Sequence, residues 1–250
     1  MNNAPISDEV SYLYHATFQC CEERQGYDGA WQLAPFQCSI PYQDNAISRL
    51  LNLREFLREE FPELIDFGER RAKKAFEERR STTTKPSYIS RIENFLQDGF
   101  DQKQNLLEIA KREPASGGLV FSVFTPHDIL DRKRPGYVPC LVSGSFLLHE
   151  NELHLNAFFR SQSVVEFGLF DMLFLRQFQQ EFFELYSARA TPRLGEIKMG
   201  PLNLQLARVL VHRRFLKRNK SFVPRAEIVH KWLHKVEEFM LLNREASAYN

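Results

Sequence analysis

No run of apolar residues approaches the roughly 20 that a membrane-spanning helix requires. The longest greasy stretch, Val164 to Leu175, is interrupted by Glu166 and Asp171. Cysteine is scarce: Cys20, Cys21, Cys38 and Cys140 are too few and too irregular for a disulfide framework in 250 residues. With His15 they fall at no usual zinc spacing, so no metal site is expected. Charge of one sign is also missing, with 33 Lys+Arg against 32 Asp+Glu. That balance nominates neither nucleic acid nor an acidic membrane as a partner. Phosphate-cradling glycine patterns of the Gly-x-Gly-x-x-Gly or P-loop type are absent. The first ten residues, MNNAPISDEV, are polar and acidic and do not read as a signal peptide. The expectation is a soluble, cytoplasmic protein with free thiols.

What the chain does hold is apolar bulk: 43% hydrophobic residues, 22 of them Phe, enough for a substantial core. Val10, Leu13, Tyr14, Phe18 and Cys21 recur at helical steps and predict a first helix over 7–21, capped by Ser7 and Asp8. A loop and strand follow over 25–42, then helical patterning through Ile47, Leu50, Leu51, Phe56 and Leu57. Residues 69–85 turn charged and read as a solvated helix followed by a loop, with shorter helices at 88–96 and 102–111. Residues 118–124, dense in β-branched and aromatic types, read as a buried strand. Two further strands, 138–148 and 152–160, flank the polar turn His149-Glu150-Asn151. A Phe- and Leu-rich helix fits 165–186, another strand 196–206, and a final amphipathic helix 225–242. This mixture predicts an α/β chain in the broad α+β sense, with a mixed or predominantly antiparallel sheet and flanking helices. The whole of 1–250 reads as one domain.

Several of these residues carry a further pattern. Val138-Pro139-Cys140, then Phe159-Arg160-Ser161-Gln162-Ser163, then Gly168-Leu169-Phe170-Asp171 resembles thymidylate synthase and its relative deoxycytidylate hydroxymethylase. In that superfamily a Pro-Cys-His carries the nucleophile, an Arg-Ser-x-Asp grips phosphate and folate, and Gly-Leu-Pro-Phe-Asn opens a buried helix. Gly195-Glu-Ile-Lys-Met-Gly200-Pro-Leu-Asn203-Leu-Gln205 is similar to the strand whose His and Tyr hold the sugar. Upstream, Arg24-Gln25-Gly26 is similar in layout to the phosphate-binding Arg loop. The resemblance covers about 117–215 and thinly 1–60, leaving 61–115 as an atypical helical insertion. It implies a thymidylate-synthase-like fold, a homodimer, and a pyrimidine nucleotide or nucleoside as ligand. A reduced folate is the cofactor that it would imply.

Departures are numerous. Leu141 replaces the His after the nucleophile, and Ser163 replaces the Asp of Arg-Ser-x-Asp. Gly117-Gly118 stand where paired arginines would reach a phosphate, and Asn203 and Gln205 stand for the sugar-binding His and Tyr. The catalytic Glu falls near Asn52, and the carboxy-terminal tail is unlike the family's.

The chemistry can be weighed position by position. A pyrimidine resists electrophiles at C5 until a nucleophile adds at C6, and a thiolate suits that step. Cys140 would then need positive charge nearby, such as Arg160, to lower its pKa from about 8.5. Its alternative is a small hydrophobe buried in a strand. Arg160 with Ser161 suits a phosphate, or else Arg160 pairs with a carboxylate such as Glu166. Asp171 in place of the family's Asn implies a cytosine-type base, whose amine a carboxylate can accept; otherwise it is a helix-start Asp favoured by the dipole. Asn203 and Gln205 share one strand face and either bind a sugar or form a polar patch beside a dimer interface. Ser143 and Ser145 are out of phase with Cys140. The basic run 212–225 is a solvated helix face or a contact for nucleic acid or an acidic partner.

Two functions compete, and a nucleic-acid-associated factor using the basic stretch 212–225 is a third option. One is C5 methyl or hydroxymethyl transfer to a pyrimidine through the Cys140 thiolate. The other is a catalytically inactive homodimer that senses a nucleotide or scaffolds a complex.

Overall fold

The computed structural model describes residues 6–23, 31–77, 87–95, 99–130, 138–211 and 225–248. Helix α1 (Glu9–Glu23) starts where Asp8 accepts from the Ser11 N–H at 2.7 Å while Ser11 Oγ accepts from the Asp8 N–H at 3.0 Å. Two donors that the first turn would leave unpaired are thereby satisfied. Short strands β1 (Trp31–Leu33) and β2 (Phe36–Ile40) follow, then α2 (Ala46–Glu60) and α3 (Pro62–Ala72). A π-helical turn at Lys73–Glu77 extends α3. Helices α4 (Tyr88–Glu93) and α5 (Gln102–Arg112) are each capped by a side chain, Ser87 and Asp101 respectively.

After β3 (Val120–Ser122) and the one-turn α6 (His127–Leu130) comes the central hairpin of β4 (Leu141–His149) and β5 (Glu152–Phe159). Its tip is a two-residue turn in which Glu150 and Asn151 both take positive φ, 51° and 62°. That twist matches the twist of the paired strands. The chain continues through β6 (Gln162–Ser163), a π-helical turn at Val164–Gly168 and the long α7 (Leu169–Leu194). Strands β7 (Lys198–Leu206) and β8 (Val209–Val211) and helix α8 (Arg225–Ala248) complete it.

Two sheets result. The larger has the order β2-β7-β5-β4-β3, with β5 and β7 parallel and its other pairs antiparallel; the smaller is β1-β8-β6. The class is therefore α+β with mixed sheets. Leu202, Leu204 and Leu206 of β7 and Leu153, Leu155 and Phe159 of β5 turn one face of the large sheet into the core. Against that face lies α7, whose Phe178 and Phe182 meet Phe121 and Phe146, the Phe146 and Phe182 rings stacking at 3.8 Å. Helix α7 also touches α2, α3 and α5, so apolar residues occur all round it. Helix α8 packs through Trp232, Val229 and Val236 near α1 and α2. Among the described residues no helix is long and apolar enough to cross a membrane.

Three expectations shift. The small sheet was not legible, because β6 and β8 are only two and three residues long. The segment from residue 69 is not simply solvated: Ala72 and Phe76 are buried, with Phe76 against Tyr88 and Phe174. The helix expected over 88–96 ends at Glu93, where Asn94 leaves helical geometry.

Candidate functional site

Cys140 lies at the head of β4, half-buried, one residue before the ladder begins. The Arg160 N–H donates to the Cys140 carbonyl at 2.9 Å, extending the β4–β5 pairing to the ends of both strands. Beyond that point the chain leaves the large sheet for the small one through Ser161 and Gln162 and then enters α7. The site therefore forms where the chain changes sheets.

Around Cys140 the contacts are specific. Its Sγ is 4.0 Å from Ser161 Oγ. The Arg160 guanidinium donates through Nε to the Pro139 carbonyl at 3.0 Å and through one Nη to the Val138 carbonyl at 2.6 Å. Arg160 thus buttresses the backbone entering Cys140 and keeps its second Nη uncommitted among the described residues. Glu166 does not pair with it; that carboxylate accepts from Ser163 Oγ at 3.1 Å. Tyr88, carried in by α4, accepts with its hydroxyl from the Cys140 N–H at 3.1 Å and the Leu141 N–H at 3.2 Å. With both lone pairs occupied, its own proton is the group left to donate.

Asp171, the third residue of α7, is buried. It accepts from Gln162 Nε2 at 2.9 Å, and Gln162 Oε1 in turn accepts from the buried Tyr12 hydroxyl of α1. Burial pushes the Asp171 carboxyl up to about 7, with the Gln162 bond pulling the other way. Burial also raises the Cys140 thiol, Asp171 adds to the rise, and Arg160, Ser161 and Arg208 oppose it. Arg160 therefore acts on the thiol in the sense that the sequence suggested, but burial outweighs it. Desolvation disfavours any buried anion, and one partly engaged guanidinium does not compensate. Tyr88 is raised by burial and by the same two acids, Cys140 and Asp171.

Of the residues singled out in the sequence, Cys140, Arg160, Ser161 and Asp171 come together. Asn203 and Gln205 do not join them. They point away from the core, opposite to Leu202, Leu204 and Leu206, because a strand alternates faces. There they line a concavity of about 630 Å³ on the open face of the large sheet, with Gln37, Ser39, Ser143 and Ser145. Asn203 donates to Asn156 at 2.9 Å, and Asn156 donates to Ser145 at 3.2 Å, a polar ladder rather than a sugar site beside Cys140. Arg24 lies outside the described residues, as do 212–224 of the basic run. Asn52 is exposed on α2. Among the described residues no group of three or more His, Cys, Asp or Glu could hold a metal ion.

The chain matches no protein-family model and none of the curated proteins. The sequence reading missed Tyr88, Gln162, Tyr12 and Arg208. Gln162 sits inside the Arg160–Ser163 motif and could have been flagged there; Tyr12 and Tyr88 carried no local signal.

Proposed function

We propose that the protein binds a pyrimidine nucleotide or nucleoside of the cytosine type at this site, and that Cys140 attacks C6 of the ring. The observation that supports this reading is the meeting of a thiol, a phosphate-capable Arg160-Ser161 pair and a buried carboxyl within reach of one another's charge. Addition of the thiolate to C6 places electron density on C5. C5 then attacks either an activated methyl donor, whose leaving group departs with the bonding pair, or an aldehyde-level carbon, whose oxygen becomes the hydroxyl. The C5 proton passes to solvent water as the thiolate is expelled by elimination, giving methyl or hydroxymethyl transfer respectively. Asp171 would accept from the exocyclic amine, and the free Nη of Arg160 with Ser161 would take the phosphate or its substitute. Ser163, where the resemblance would put a folate-binding Asp, spends its hydroxyl on Glu166 and is buried. The residues present do not fit a folate there, and no step is routed through one.

The second reading is a thymidylate-synthase-like homodimer that binds a nucleotide without reacting with it. The raised Cys140 thiol favours this reading, because a nucleophile needs the thiolate. The open face of the large sheet, with Val120, Leu147 and Phe158 exposed beside the polar ladder, would be the surface shared by two copies.

Intact-mass analysis after incubation with 5-fluoro-dCMP and 5-fluoro-dUMP, with and without a reduced folate, separates the two. An adduct that Cys140→Ser abolishes supports the reactive reading. Binding without an adduct supports the second, and binding of neither nucleotide overturns both.

A further inference from the structure

Two strands pass together from the large sheet to the small one, and the crossing brings a second arginine to Cys140. Phe159 of β5 pairs with Leu206 of β7, and Gln162 of β6 pairs with Val209 of β8, both in parallel. Between these pairs each strand advances by three residues, so the register carries through the crossing. Backbone bonds hold its two ends: the Ala207 N–H donates to the Phe159 carbonyl and the Gln162 N–H to the Arg208 carbonyl, each at 2.9 Å. Ser161 is thereby set beside Arg208, one strand spacing of about 4.8 Å away, and register partners project to the same side.

The side in question is that of the thiol, since Ser161 Oγ lies 4.0 Å from Cys140 Sγ. The charge of Arg208 accordingly acts on Cys140 in the same sense as that of Arg160, both opposing the rise that burial and Asp171 impose. Ser161 is buried and Arg208 exposed, so the second guanidinium stands at the solvent edge of the site. Among the described residues neither arginine has a carboxylate partner. Arg160 donates to the Val138 and Pro139 carbonyls, and Arg208 makes no side-chain bond. The acids nearby are engaged elsewhere, Asp171 with Gln162 and Glu166 with Ser163. Guanidinium groups do not shed their proton, so an arriving anion is what neutralises the pair. A phosphate monoester carries three free oxygens, enough for one fork from each arginine and a bond from the serine hydroxyl. A carboxylate, with two, leaves one of these donors unused.

Resting on the reading that this site takes a pyrimidine nucleotide or nucleoside, we propose that Arg208 is a binding residue that makes the ligand a nucleotide. It supplies the second guanidinium on the phosphate monoester that Arg160 and Ser161 hold beside Cys140.

The test is calorimetric binding of dCMP, 2′-deoxycytidine and 2-deoxyribose 5-phosphate, at fixed ionic strength, to the full chain and to its Arg208→Gln variant. Arg208 is exposed and has no side-chain bond among the described residues, so the variant should keep the circular dichroism of the intact protein. The intact protein should bind dCMP at least about thirtyfold more tightly than deoxycytidine. Arg208→Gln should weaken both phosphate-bearing ligands by about tenfold, the scale of one charge-assisted contact, and leave deoxycytidine unchanged. A variant that binds dCMP as the intact protein does overturns the proposal and leaves the pyrimidine reading standing. So does an intact protein that binds dCMP no more tightly than deoxycytidine. Equal weakening of all three ligands marks a structural role for Arg208 and also overturns it. Deoxyribose 5-phosphate bound as tightly as dCMP, and weakened by the substitution, keeps the phosphate contact and overturns the pyrimidine reading. Binding of none of the three overturns both.

Discussion

At the scale of single residues, the burial of Asp171 has a measurable consequence. Its folded pKa of about 7 lies above the ordinary 3.8, so the folded state binds the proton more tightly than the unfolded state. The associated stability is fully present below about pH 4 and is lost as pH rises through 7. The loss amounts to at most roughly 4 kcal/mol. Urea denaturation between pH 4.5 and 8 should show this decline, and Asp171→Asn should flatten it. Cys140 offers a second measurement. Burial and Asp171 raise its thiol, so alkylation of Cys140 should still be climbing with pH where an ordinary thiol has levelled off. Asp171→Asn should move that profile down in pH and Arg160→Gln should move it up; peptide mass spectrometry of iodoacetamide-treated protein reads both. No displacement in either variant would mean that the three groups do not share one electrostatic environment.

At the scale of elements, the site depends on helices that the family resemblance left unassigned. Helix α4 delivers Tyr88 to the backbone of Cys140, and it is anchored by Arg91, which pairs with the buried Asp128 at 2.8 Å and donates to the Val123 carbonyl. Helix α3 approaches the turn before α7 at Gly68, where a Cβ would lie 2.3 Å from a Phe170 ring carbon and 2.9 Å from the Glu166 carbonyl. Gly68→Ala should therefore destabilise the fold by about 1–3 kcal/mol in chemical denaturation, since neither the backbone nor the packed ring yields cheaply. Helix α7 is fixed to α1 and to the end of β2 by Arg176, which meets Glu9 at 2.5 Å and the carbonyls of Ile40 and Pro41. Both charged groups are buried, so removing one strands the other. Arg176→Met should cost about 3–5 kcal/mol, read as a lowered denaturation midpoint.

At the scale of the whole molecule, the large sheet has one face filled by α7 and the other open. If the open face joins two copies, Val120→Lys with Phe158→Lys should convert a dimer to a monomer in light scattering while leaving the circular dichroism unchanged. Both side chains are exposed, at 54% and 37%, and neither belongs to the hydrophobic core. A chain already monomeric before substitution would remove that surface from consideration.

The sequence by itself determined the elements whose apolar period is long: α1, α2, α5, α7, α8, the β4–β5 hairpin and β7. Each repeats one spacing over enough residues to outweigh local noise, and the hairpin adds a turn at Glu150 and Asn151 that closes the strands. It also brought forward Cys140, Arg160, Ser161 and Asp171, because they lie within one stretch of chain and keep a recognisable order. Only the tertiary structure decided what surrounds them. Tyr12 and Tyr88 reach the site from elements far away in sequence, and hydrogen bonds across such distances leave no mark on local spacing. The structure also turned Asn203 and Gln205 outward, because the alternation of β7 commits its leucines to the core and leaves the intervening residues on the other face. And it raised the Cys140 thiol, since burial is a property of the assembled molecule and not of the residues beside it in the chain.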